Sequence, residues 1–145
     1  MFEVSPYIVA IGAAWFLAHI AKYIVSSFKK RRLQRNLLSQ LFISGGMPSS
    51  HAATSVAVWA VVMLKDGISS GLFGLATLFT LIVCYDAVKV RRSSGEQGLA
   101  IQELIREQGS KILLPRSARG HTPLEVAVGA AFGLIVGLVV FYTTK

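Results

Sequence analysis

The sequence predicts an all-α integral membrane protein, a helical bundle of about four spans with a short interfacial helix in the third loop. Three observations predict it. The chain is 53% hydrophobic and only 15% charged over 145 residues, too apolar for a soluble domain of that size to clothe itself in polar side chains. Its apolar residues gather in four blocks, roughly 4–28, 49–64, 68–85 and 123–143, within one domain covering residues 1–145. The connections between those blocks alternate between strongly basic and nearly neutral.

The first block, Val4 to Phe28, exceeds the roughly 20 residues that a helix needs to cross the hydrocarbon core. Its basic cluster, Lys29-Lys30-Arg31-Arg32, follows it instead of preceding it, so it reads as a retained span and not as a signal peptide. The second block, Ala52 to Leu64, is short. It reaches a workable length only if its helix begins near Pro48 or Ser49, which places Ser50 and His51 in the first turn. The third, Ile68 to Tyr85, carries the single cysteine, Cys84, which reads as a packing residue and rules out a disulfide framework. After it comes the only long polar stretch. There Ile101, Leu104 and Ile105 oppose Glu103, Arg106 and Glu107 at helical spacing, the pattern of a short helix lying in the interface, which a plain solvated connecting helix would also show. The fourth block, Leu124 to Tyr142, holds Gly129, Gly133 and Gly137 at intervals of four. Such a stripe lets another helix approach closely; packing within the monomer and a homodimer through the stripe both fit it.

The formal charge is +8, and its placement explains it. Five basic side chains and no acid lie between spans one and two; seven against four lie between spans three and four, while Lys65-Asp66 is neutral. The positive-inside rule then puts both basic loops on the cytoplasmic face of the cell (inner) membrane, with the termini outside. No nucleic-acid module or aromatic-interleaved basic patch is present, so nucleic acid is excluded as a partner; membrane lipids with anionic headgroups fit the juxtamembrane clusters.

Two segments carry chemistry. In Ser44-Gly45-Gly46-Met47-Pro48-Ser49-Ser50-His51, glycines let the main chain approach a ligand and Pro48 suits a first helical position, so the helix start is an anion site. Ser49 and Ser50 offer hydroxyls and His51 a proton that moves near neutral pH. In Arg116-Ser117-Ala118-Arg119-Gly120-His121-Thr122-Pro123-Leu124-Glu125, Thr122 caps and Pro123 opens a helix. His121 and Glu125, four apart, can bond if the helix reaches back to the histidine, leaving the other ring nitrogen basic. Two spans separate the segments, so both return to one face, together with Lys29 to Arg32, Arg91, Arg92, Arg116 and Arg119. Lys22 and His19 lie in span one within reach of that face, Lys22 either snorkelling or facing the site. Asp86 can pair with Arg91 or Lys22; with no second carboxylate at ligand-like spacing, neither a metal nor another cofactor is expected.

Pro48-Ser49-Ser50-His51 resembles the Pro-Ser-Gly-His motif of the type 2 phosphatidic acid phosphatase and vanadium haloperoxidase superfamily, and His121 with Glu125 resembles its final His-x-x-x-Asp. The blocks Gly45 to His51, then Tyr85-Asp86-Ala87 with Val90-Arg91-Arg92 and Gly95, then Gly120 to Val126 with Gly129, are similar to the small divergent branch of that superfamily. The resemblance implies His121 as nucleophile, Glu125 as its orienting carboxylate, His51 as general acid, and Ser49 with the Gly46 region as phosphate donors. The sequence departs from the superfamily in three places. Lys22, six residues, then Lys29-Lys30 stands where Lys, six residues, Arg-Pro is usual; Pro115 takes the place of the last motif's arginine, with Arg116 next to it; and the carboxylate is Glu. Lys22, Arg91, Arg92 and Arg116 are thus the candidate phosphate-holding cations. The expectation is a metal-independent phosphatase acting on the phosphate monoester or diphosphate of a lipid. Its rivals are a module that binds or transports a phospholipid headgroup without turnover, and a membrane assembly factor built on the glycine stripe.

Overall fold

The computed structural model describes residues 4–29, 46–115 and 120–144. Every regular element among them is helical: α1 (Pro6–Lys29), α2 (Ser50–Asp66), α3 (Gly71–Tyr85), a π-helical turn (Asp86–Val90), α4 (Arg91–Glu107) and α5 (Pro123–Thr143). The four apolar blocks correspond to α1, α2, α3 and α5. The caps fix where they begin. Ser49, in extended conformation, accepts from Ala52 N at the start of α2, Ser70 accepts from Phe73 N at the start of α3, and Thr122 does the same for Glu125 N at the start of α5. Because Ser49 is the cap, Pro48 lies before the helix and does not occupy the first helical position that its sequence setting favours.

Three helical segments, Pro6–Ser27, Gly71–Glu107 and Pro123–Thr143, are long and apolar enough to cross a membrane. Helix α2 has 17 residues, about 26 Å of rise, slightly under the roughly 30 Å hydrocarbon core. It is the centre of the bundle, packed against α5, α1 and α3. This position suits its composition: Ala52, Ala53, Ala57 and Ala60 are fully buried, and small side chains let three neighbours close around one helix. Large apolar side chains instead face outward, among them Ile8 and Phe16 on α1, Leu75, Phe79 and Leu81 on α3, and Ile135 and Val139 on α5. An apolar exterior around a small-residue interior is the arrangement of a bundle solvated by lipid tails.

The glycine stripe is filled from within the chain. Gly129, Gly133 and Gly137 are buried, and a Cβ on each would collide with the main-chain carbonyl oxygens of Ser49, Ala53 and Ala57 respectively. The register holds over two turns because α2 and α5 run parallel with small residues every fourth position. Polar groups join α2 to α3: Trp59 Nε1–H donates to Thr77 Oγ1 at 2.9 Å, and Thr80 Oγ1–H to the Ser55 carbonyl at 3.2 Å. At the far end of the bundle Tyr7 O–H donates to Asp66 Oδ2 at 2.6 Å, tying α1 to the end of α2.

The helix expected in the third loop is present but longer than the loop pattern indicates. It starts at Arg91 and continues α3 through the π turn, so that Gly71–Glu107 is one helical run. No proline or glycine interrupts the chain between Tyr85 and Arg91, and the helical winding widens there instead of ending.

Candidate active site

The two segments that carry chemistry and the block from Tyr85 to Gly95 converge where α2 and α5 begin and α3 ends. The Ser49 main-chain N–H donates to the Glu125 carbonyl at 3.1 Å, and the His121 main-chain N–H donates to the Ala87 carbonyl at 3.1 Å. Under these bonds Ala52, Ala87 and Val126 form a small buried core, flanked by Cys84 and Val88. Gly120 lies against the main chain of Arg91 and Arg92, and any side chain there would overlap it. The approach therefore requires glycine, and it sets His121 down on the π turn.

Glu125 organises this corner. Its Oε2 accepts the Thr122 main-chain N–H at 3.0 Å and faces His121 Nδ1 at 3.3 Å. The first contact, with Thr122 Oγ1 accepting from Glu125 N, completes a capping box. The helix does not reach back to His121 as the spacing alone had required. The chain before the cap folds over the first turn, and the same carboxylate serves both groups. A carboxylate only accepts, so Nδ1 carries the proton and Nε2 keeps its lone pair. His121 is 4% exposed. Burial, then the Lys22 charge, lower its pKa below the ordinary 6.5, outweighing the Glu125 hydrogen bond and charge, which raise it. Its imidazole is accordingly neutral at pH 7.

His51, in the first turn of α2, is exposed. The charges of Arg91, His121, Lys22 and His19 all bear on its ring, so the two imidazoles share one electrostatic environment. Lys22 belongs to it as well. Its charge interacts with Glu125 and His121, and its stem runs beneath Gly46, where an added Cβ would sit 3.9 Å from Lys22 Cγ and Cδ. Lys22 thus lies on the side of α1 that meets these residues. Gly46 itself has φ +89°, a conformation that glycine adopts without strain.

Several candidates stand differently from their sequence expectation. Ser49 is fully buried and its hydroxyl caps α2; Ser50 is 4% exposed. Both sit beneath the site, and the first-turn donors that remain are the main-chain N–H groups of Ser50 and His51, since those of Ala52 and Ala53 bond Ser49. Arg91 pairs with Asp86 at 2.6 Å and its charge reaches both rings. Arg92 is turned instead to Glu96 at 3.1 Å, four residues along the exposed face of α4, because successive helical residues point about 100° apart. Arg116, with Arg119 and Lys30 to Arg32, lies outside the described residues. His19 bonds the Trp15 carbonyl through Nδ1 at 2.8 Å and packs on the Trp15 ring. Sequence reasoning did not find the Ala87 carbonyl as the anchor of His121; the Tyr85-Asp86-Ala87 block was its only trace.

The profile described as the Divergent PAP2 family matches residues 4–136. The chain belongs to the divergent PAP2 family. A relative, the uncharacterized membrane protein YuiD of Bacillus subtilis (strain 168), is 32% identical, with 90% of each chain covered. No solved structure matches. For this divergent PAP2 member the matched region takes in Lys22, His51, the π turn, His121 and Glu125, so the converging blocks all lie inside the family's common sequence.

Proposed function

We propose that the protein is a metal-independent phosphatase of lipid phosphates, working through a phosphohistidine on His121. The observation that carries the reading is the buried His121 whose Nδ1 faces Glu125 Oε2, within electrostatic reach of His51, Lys22 and Arg91. Phosphoryl transfer needs a nucleophile with a free lone pair, a proton donor for the leaving oxygen, and cations for the equatorial oxygens. His121 Nε2 attacks phosphorus and the P–O ester bond breaks. The departing alkoxide takes a proton from His51, whose protonated form the bound phosphate dianion favours. Water then attacks phosphorus as His51 accepts its proton, the phosphorus–nitrogen bond breaks, and inorganic phosphate leaves with His121 neutral again. Lys22, Arg91 and the amides of Ser50 and His51 hold the phosphoryl oxygens; Arg116 remains a candidate from sequence. Family membership supports the phosphatase class, and placement at the ends of apolar spans supports a lipid substrate. The basic loops support a cytoplasmic position for this face by the positive-inside rule.

Phosphate release from a panel of lipid monophosphates and diphosphates by the detergent-purified chain tests the reading. Release is expected to persist with chelator; release that requires a divalent metal contradicts it. The His121 pKa gives a second expectation. The nucleophile loses its lone pair on protonation, and its pKa lies below 6.5, so the acid limb of kcat/KM should lie below that value, while loss of the His51 proton sets the basic limb. Lys22 is the largest charge acting to lower it. In Lys22→Met the acid limb should therefore move to higher pH, beside a raised KM. A limb unmoved by this change would place Lys22 outside the site.

A further inference from the structure

The π turn Asp86–Val90 joins two long helical stretches at the edge of the site. Such turns interrupt α-helices chiefly where a side chain or carbonyl must be re-aimed. Here the turn couples Asp86 and Arg91 twice: the Arg91 main-chain N–H donates to the Asp86 carbonyl, and Arg91 Nε–H donates to Asp86 Oδ2 at 2.6 Å. In an α-helix residues five apart point about 140° from one another, which would separate these side chains. The wider winding brings them onto one side. A guanidinium has five N–H donors in a fixed plane. With Nε engaged by Asp86, both terminal NH2 groups are open to another acceptor as far as the described residues go, and the side chain is half-exposed. The same turn supplies the Ala87 carbonyl that fixes His121.

We propose that Asp86 is a positioning residue, holding Arg91 through the π turn so that the guanidinium's terminal NH2 groups meet the phosphoryl group bound between His51 and His121. This rests on the phosphatase reading of the site. An ordinary exposed ion pair contributes little to stability; a positioning pair shows itself in ligand affinity. The test uses the full chain in detergent, with inorganic phosphate as the ligand for affinity and the best lipid phosphate of the panel for kinetics. Asp86→Ala should weaken phosphate binding and raise KM by about tenfold, the scale of one charge-assisted hydrogen bond, with kcat changed by no more than about threefold. Asp86→Asn, which keeps an acceptor oxygen, should restore most of the affinity. In the Arg91→Ala background, Asp86→Ala should do no further harm.

Unchanged phosphate affinity in both Asp86 variants, with Arg91→Ala weakened, would overturn the positioning role and leave the phosphatase reading intact. Independent, multiplying losses in the double variant would also overturn it. If Asp86→Ala does not fold, Asp86→Ser, whose short hydroxyl does not reach the guanidinium, decides: weakened phosphate binding alone with no added loss beside Arg91→Ala supports the role, and native affinity or a multiplied loss refutes it. A wild-type chain that neither binds nor releases phosphate removes the phosphatase reading and this inference with it.

Discussion

His121→Ala is expected to lower phosphate release by on the order of 10⁴-fold or more, because removing the nucleophile of a covalent mechanism removes most of the catalysed rate. His51→Ala should cost less, on the order of 10²- to 10⁴-fold, the range for loss of a general acid. The order is informative. If His121 only packed against the π turn, its removal would lower stability and leave turnover per folded molecule similar. Folded fraction should therefore be measured by size exclusion and circular dichroism alongside kinetics. His121→Asn serves as a control, since its main-chain N–H to Ala87 is retained while its side chain has no nucleophilic ring nitrogen. The expected result is a folded protein without activity. Headgroup binding that survives His121→Ala, with no turnover in either form, would favour the transport reading.

Gly133→Leu is expected to have the largest structural effect of any single substitution in the spans. A Cβ at Gly133 already overlaps the Ala53 carbonyl, and a main-chain atom cannot rotate away as a side chain can. The two helices must separate along the whole register from Ser49–Gly129 to Ala57–Gly137. Overpacking costs about 1 to 3 kcal/mol when side chains can adjust. A leucine against main chain should exceed that, against a total stability of about 5 to 15 kcal/mol. Thermal unfolding in detergent, followed by loss of the monodisperse peak, should show a large drop for Gly133→Leu. Ile135→Leu, at a lipid-facing position, should leave it nearly unchanged. Equal effects of the two changes would contradict the α2–α5 packing described above. Because the stripe also positions Ser49 against Glu125, the same substitution should abolish activity through the site's geometry.

The four apolar helices, three of them long and apolar enough to cross a membrane, were legible because bilayer crossing imposes a length and polarity that composition alone records. The face shared by His51 and His121 was legible from counting crossings, and the Glu125 contact from its distance of four residues. Other features were not. Whether a glycine stripe faces another helix of the same chain or a second copy depends on the partner's small residues, and Ser49, Ala53 and Ala57 signal nothing individually. Pro48 marks a helix start within two residues, but the choice of cap turns on the Ser49 hydroxyl reaching Ala52 N. Arg91 and Arg92 are adjacent and chemically alike in sequence. Only the helical rotation, and the extra residue in the π turn, send one to Asp86 beside the histidines and the other to Glu96. Lys22 could be assigned to the site only through its packing under Gly46, a contact between distant positions that no local pattern encodes.

The most direct measurement is to trap the phosphorylated protein. The chain is mixed with a lipid carrying labelled phosphate, quenched in alkali, where a phosphorus–nitrogen bond survives, and mapped by peptide. Label is expected on the His121 peptide, lost on acid treatment and absent from His121→Ala. Turnover without label on His121, or label on another side chain that persists in His121→Ala, would contradict it.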